Sequence, residues 1–157
     1  NINNYLDVGC QEGQFAEYLN THINIKETHC MDINDVSVDN GRKIHPKFNW
    51  ICSNIKDFVT SKKYQVITMI NCFFYFFNKH TIQKIFNMLE KNGYLFISYG
   101  DSNFKQYNID DNKIINSMVA NGFCHINSVK SYEKKNNNTH YHITANRWYT
   151  CLVFKKN

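Results

Sequence analysis

The stretch "YLDVGCQEG", Tyr5 to Gly13, decides how the chain is read. An apolar run ends at an acid, Asp7, and two glycines follow within six residues. The whole chain has only six glycines, so placing two here asks for a tight turn or a ligand lying against the backbone. Tyr5–Val8 reads as a short buried strand. Glu12–Asn20, with Phe15, Ala16 and Leu19 at helical spacing, reads as the helix that follows it. Strand, glycine turn and helix in that order form the opening unit of an α/β fold.

The same alternation continues outward. Thr28–Ile33 reads as a second strand, and Asp35 as the cap of a helix running to about Ile44. Phe48–Cys52 and Tyr64–Cys72 are the third and fourth strands. The fourth is apolar on both faces, as a central parallel strand is. Lys79–Lys91 repeats Ile82, Ile85, Phe86 and Leu89 as a helix does, with Asn92-Gly93 as its C-cap. Tyr94–Tyr99 is a fifth strand and Asn108–Asn121 a further helix closed by Gly122. Phe123–Val129 and Trp148–Phe154 are late strands, with Lys134–Asn138 a polar hairpin tip or loop between them. The expected fold is a single three-layer α/β sandwich over 1–157, its sheet mainly parallel with an antiparallel edge strand.

Composition narrows the class. A chain of 157 residues has the size of one domain with one core, and its many aromatics and lone Pro46 argue against disorder. No apolar run reaches the roughly 20 residues of a membrane span. No signal peptide is visible, and the immediate start on a strand suggests a domain excised from a longer polypeptide. The six cysteines form no CxxC pair and each lies in or beside an apolar stretch. They read as buried, reduced residues of an intracellular, cytoplasmic protein rather than as zinc ligands. His140 and His142 alternate as on a strand, with no third ligand at metal spacing, so no metal site is assigned. The net charge of +5 suits an anionic partner only mildly.

In a sheet of this kind ligands bind beyond the carboxyl ends of the strands. Gly9 and Gly13 fall at the end of the first strand and Asp32 at the end of the second, where a carboxylate can accept from both hydroxyls of a ribose. Asn54 falls just beyond the third, where a carboxamide can read an adenine edge. Each position taken alone is also an ordinary turn glycine, capping acid or loop Asn. Together they favour an adenosine-type ligand. A phosphate-rich ligand fits less well, because no Walker-type lysine follows the glycines and Glu12 would repel a pyrophosphate. A cationic ligand without phosphates would be welcomed by Asp7 and Glu12. Arg42, Lys43 and Lys47 could meet a triphosphate or RNA backbone, or form a solvated helix face.

"LDVGCQEG" resembles motif I of class I S-adenosylmethionine-dependent methyltransferases, LDxGCGxG, with Gln11 replacing the middle glycine. "CMDINDVSVDNGRK" resembles the second-strand segment of messenger-RNA cap guanine-N7 methyltransferases, which reads like "TDIADVSV". "NGYLFISYGDSNF" is similar to that family's "GGYFIGTTPNSF", and "WYTCLVFKK" to its closing aromatic strand. The resemblance implies a Rossmann-like class I fold and binding of S-adenosylmethionine, with S-adenosylhomocysteine as product. Asp7, Gly9, Gly13, Asp32, Ile33, Asn54, Ile55 and Asn71 are the implied cofactor residues. The segment from Asn71 to Phe77 matches the family's QFxxHYxF. Tyr75 and Phe77 then align with YxF, and Phe74 stands in place of the His. With Trp148 and Tyr149, these aromatics are the implied substrate contacts.

The implied partner is the GpppN end of a capped RNA. The chain lacks the family's long insertion before the last strands, which leaves one side of the cap pocket missing. A compact domain of a viral replicase polyprotein, with neighbouring domains or an activating subunit, is the expected setting. Guanine N7 attacks through a lone pair and loses no proton, so no general base is expected. A methyltransferase on another acceptor (the cap 2′-hydroxyl or a small molecule) and a non-catalytic RNA-binding or partner subunit of the same fold remain as alternatives.

Overall fold

The computed structural model describes residues 1–100, 109–133 and 147–157. Seven strands form one sheet: β1 (Ile2–Val8), β2 (Ile25–Asp32), β3 (Asn49–Cys52), β4 (Tyr64–Ile70), β5 (Leu89–Gly100), β6 (Phe123–Glu133) and β7 (Arg147–Lys156). Helices α1 (Gln14–His22), α2 (Asp35–Ile44), α3 (Lys79–Met88) and α4 (Asp111–Ala120) connect them, with a 3-10 turn at Phe73–Phe76. The strand order is β3-β2-β1-β4-β5-β7-β6. The pairs β1–β2, β2–β3, β1–β4 and β4–β5 are parallel, whereas β7 pairs antiparallel with both β5 and β6.

The alternation of side chains across β1 explains the three layers. Leu6 and Val8 face one core, closed by Ile82 and Ile85 of α3 and Ile114 and Met118 of α4. Tyr5 faces the other, with Cys30, Phe48 and Ala16 of α1. Because β1 lies between β2 and β4 and is covered on both faces, its second half is buried without alternation. The chain steps from β1 out to β2 and β3, then returns to β4 on the other side of β1. The ends of β1 and β4 therefore diverge into opposite layers, which is the switch point that opens a crevice in such sheets.

Three boundaries depart from expectation. Helix α3 stops at Met88, not Lys91, because the buried Leu89 turns into extended backbone and pairs with Tyr64. Asn92-Gly93 is thus no C-cap. Asn92, at φ 64°, turns the chain inside the irregular start of β5, where the register shifts between Tyr64 and Val66. The N-cap of α2 is Asn34, whose side chain accepts from Ser37 N–H, and Asp35 is the first helical residue. The cysteines also divide: Cys10, Cys30 and Cys72 are buried, Cys124 and Cys151 are partly so, and Cys52 is exposed. The hairpin tip at Lys134–Asn138, the histidines at 140 and 142 and the helix start at Asn108 lie outside the described residues. No described helix is long and apolar enough to cross a membrane.

Candidate active site

A cleft of about 480 Å³ opens at the switch point, lined by the carboxyl ends of β1, β2, β3 and β4 and the turns that leave them. The turn after β1 is shaped by backbone contacts. Gly9 and Cys10 N–H both donate to Met31 carbonyl, which folds the turn back over the end of β2. Gln11 takes φ 50°, the left-handed region in which the resembled motif places a glycine. That costs a non-glycine residue roughly 1–2 kcal/mol. The cost is offset by a hydrogen bond from Gln11 N–H to Asp32 Oδ2 at 2.8 Å. The substitution of that glycine is therefore accommodated by the same acid that the sequence assigns to the ligand.

Asp32 is held on both oxygens, since Asn34 N–H donates to Oδ1 at 2.9 Å. Each carboxylate oxygen keeps a lone pair, so Asp32 is oriented and still able to accept from a ligand. Glu12 is fixed similarly, by Asn40 Nδ2 at 3.0 Å and Gln14 Nε2 at 3.3 Å. Asn54 Oδ1 accepts from Lys56 N–H at 3.0 Å, leaving its amide nitrogen to donate. Among the described residues no Lys, Arg or His lines the cleft, and its carboxylates are Glu12 and Asp32.

Of the expected cofactor residues, Gly9, Asp32, Ile33, Asn54, Ile55 and Asn71 line the cleft. Asp7 and Gly13 do not. Asp7 is buried one layer below, where Thr68 donates to Oδ1 at 2.6 Å and Tyr5 hydroxyl meets Thr68 Oγ1 at 2.7 Å. Burial pushes the Asp7 carboxyl up to about 7; the hydrogen bond from Thr68 opposes that, and the charge of Asp32 adds to it. Gly13, at φ 86°, turns the chain into α1 against the Trp50 ring, and a Cβ there would stand 2.8 Å from Trp50 Cη2. Its role is packing. The φ of 72° at Gly9 makes room for Cys72, whose Sγ would lie 2.8 Å from an added Cβ and donates to Val8 carbonyl at 3.0 Å.

The aromatic turn divides too. Tyr75, 59% exposed, and Phe76 line the cleft. Phe74 and Phe77, expected at the substrate, do not line the cleft and pack against the larger core, as Phe73 and Phe76 also do; Tyr75 is the exposed ring of the turn. Tyr149 does not line the cleft; it sits in β7 opposite Gly100 and Ser131. Trp148 pairs through its backbone with Tyr132, and its side chain is outside the described set. The sequence reading missed Phe76 and Cys72 at the cleft, since one aromatic block offers no mark of which rings turn outward. It also missed Ser37 and Ser53, whose signal was their place beside Asn34 and Asn54. Arg42 is paired with Asp39 at 2.8 Å and Lys47 with Glu17 at 3.4 Å, so neither is aimed at the cleft.

This strand order, with its cleft of carboxylates and amides, is the architecture of a class I methyltransferase. The chain belongs to that family: the model of the methyltransferase domain matches residues 2–149. Among solved structures, the fold is similar to the N-methyltransferase NodS of Bradyrhizobium japonicum WM9, solved in complex with S-adenosyl-L-homocysteine. The TM-score is 0.76 at 16% identity, over 99% of this chain and 78% of that one. A S-adenosylmethionine-dependent methyltransferase of Clostridium acetobutylicum ATCC 824 gives 0.76 at 13% identity, over 99% and 84%. A TehB-like S-adenosylmethionine-dependent methyltransferase of Corynebacterium glutamicum gives 0.73 at 15%, over 98% and 79%. No curated protein matches the chain. The cofactor of this family is S-adenosylmethionine, and the donor set fits it. Two oriented carboxylates and four residues with side-chain amides suit a ligand that carries ribose hydroxyls, an ammonium and a sulfonium but no phosphate.

Proposed function

We propose that the chain transfers a methyl group from S-adenosylmethionine to N7 of the guanosine cap of RNA. The observation that supports this reading is the exposed ring of Tyr75, beside the partly buried Phe76, at a cleft whose described lining presents no Lys or His as a base. When bound, the cofactor supplies an electrophilic methyl carbon on a sulfonium. Asp32 accepts from the ribose, Asn54 donates to the adenine edge, and Glu12 faces the cationic end. Tyr75 offers a ring face on which a planar base can stack, which suits a guanine held edge-on to the methyl. N7 brings its own lone pair and sheds no proton, so orientation and exclusion of water are what the residues must provide. The segment resemblance at Asp32–Val38 and Asn71–Phe77 favours the cap over other planar acceptors. Capped RNA is thus the proposed partner.

The test is incubation of the chain with methyl-labelled S-adenosylmethionine and a short RNA bearing an unmethylated guanosine cap, followed by digestion. Label in 7-methylguanosine is expected. Label on a ribose would replace this reading with 2′-O transfer. Cofactor binding without transfer to any capped RNA would move the acceptor to another class of molecule.

A further inference from the structure

A second groove, of about 340 Å³, is lined by the continuations of two segments that also line the first. The β3–β4 connection supplies Asn54 and Ile55 to the cleft, then Phe58, Val59 and Lys63 to the groove. The chain after β4 supplies Tyr75 and Phe76 to the cleft, then His80 and Lys84 of α3 to the groove. The charge changes sign between them. The cleft holds Glu12 and Asp32, whereas the groove holds Lys63, His80 and Lys84 and no carboxylate among the described residues. Exposed Lys56 and Lys79 extend the basic side, and Asp57 is the one acid on these two segments.

The lysines are placed rather than loosely scattered. Lys84 Nζ donates to Lys56 carbonyl at 2.6 Å and Lys63 Nζ to Asn87 carbonyl at 2.6 Å, which holds each ammonium at the groove with further N–H donors to give. Lys79 and His80 open α3, where a cation opposes the helix dipole and no acid stands in the first turn to compensate. A local arrangement that costs stability is explained if a polyanion neutralises it. Val59, 89% exposed, and the half-buried Phe58 add an apolar surface between the cations. Alternating cations and apolar contacts suit a single strand with phosphates and bases, more than a uniformly charged chain.

We infer that this groove carries the phosphodiester backbone of the acceptor RNA as it leaves the cleft past Tyr75 and Phe76. The inference rests on the proposed function for the direction of the strand. It predicts RNA binding, however, that can be measured without any methyl transfer.

The probe is a short single-stranded RNA of mixed sequence labelled with fluorescein, read by anisotropy across a salt series, with GpppG as a second, short methylation substrate. Lys63→Gln/Lys84→Gln is expected to bind the RNA roughly tenfold more weakly, with a salt slope reduced by about 1.4. Lys56→Glu/Lys79→Glu changes neither of the side chains that grip those backbone carbonyls and should weaken RNA in the same way, which guards against misfolding of the first variant. Methylation of GpppG should be unchanged in both. Lys26→Glu/Lys155→Glu, with the same charge change as Lys56→Glu/Lys79→Glu but elsewhere, should retain RNA affinity. Wild-type affinity in both groove variants, equal loss in the Lys26/Lys155 variant, or equal binding of a polyglutamate peptide would overturn the inference. Loss of RNA affinity without any methylation of GpppG would sustain the groove and remove only the cap reading.

Discussion

Two hollows lined by successive parts of the same two segments differ in sign. The cleft at the switch point is framed by main-chain amides that grip carboxylates: Gln11 and Asn34 N–H on Asp32, with Asn40 and Gln14 side chains on Glu12. The groove beside α3 reverses the roles, with main-chain carbonyls of Lys56 and Asn87 gripping ammonium groups. Backbone groups satisfy one part of Asp32 and of each lysine and leave the rest of their hydrogen-bonding capacity outward, whereas side chains do this for Glu12. The contrast in charge suits a cationic cofactor in the cleft and, on the proposed reading, the anionic backbone of an RNA in the groove.

The strongest way to break this contrast is Asp32→Ala. It removes the proposed acceptor for the ribose and the anchor of the Gln11 turn at once. Affinity for S-adenosylhomocysteine should fall roughly a hundredfold, about 2.7 kcal/mol, by titration calorimetry. RNA affinity measured by anisotropy should not fall. A parallel loss of RNA binding would mean that the two hollows are one site.

Gly13→Ala sharpens which glycine serves the ligand and which the packing. The added Cβ meets the Trp50 ring at a left-handed φ, so stability should drop by about 1–3 kcal/mol in denaturant unfolding. Cofactor affinity of the folded protein should change little, because Gly13 lines no part of the cleft. A large affinity loss at unchanged stability would return Gly13 to the ligand.

Asp7 tests how far burial beneath the cleft shifts a carboxyl. Its carboxyl is raised to about 7, so between the unfolded carboxylate range near pH 4 and pH 7 the folded protein holds a proton that the unfolded chain has released. Stability contributed by this group is therefore lost as pH rises through that window, by up to about 1.4 kcal/mol per pH unit, and is level outside it. Asp7→Asn keeps an acceptor for Thr68 and should flatten the wild-type decline in melting temperature over that range. An unchanged slope would assign the decline to other groups.

The mainly parallel α/β sheet and the place of the cleft were legible, because strand–helix alternation and an apolar strand ending in an acid and a glycine turn admit few continuations; the strand order was not. Asp32 and Asn54 were legible as strand-end positions for the same reason. What was not legible depends on contacts across the fold. Gly13 looked like a ligand glycine until Trp50, far along the chain, took the space beside it. Phe74, Tyr75, Phe76 and Phe77 are alike in composition, and only the folded turn decides that Tyr75 and Phe76 reach the cleft, Phe76 while also packing on the core, and that Phe74 and Phe77 do not reach it. The helix pattern of Lys79–Lys91 misled because Leu89 satisfies a helical stripe and a buried strand position equally well. The basic groove has no linear motif, since Lys63 and Lys84 meet only when α3 packs beside the β3–β4 connection.

The smallest effect isolates charge from shape. Glu12→Gln keeps the hydrogen-bonding reach of the side chain toward Asn40 and removes one negative charge from the cleft. S-Adenosylmethionine carries a sulfonium that S-adenosylhomocysteine lacks, while both share the ribose, adenine and amino-acid ends. If Glu12 acts through charge on the sulfonium side, the variant should lose affinity for the methylated form about two- to fivefold more than for the demethylated form, near 0.5–1 kcal/mol for a partly solvated pair. That excess should shrink as salt is raised, because the interaction is screened. Equal losses for both ligands would place Glu12 at the shared amino-acid end instead. No loss for either would leave Glu12 as a clamp on α2 and transfer the burden of cation selection to Asp32 alone.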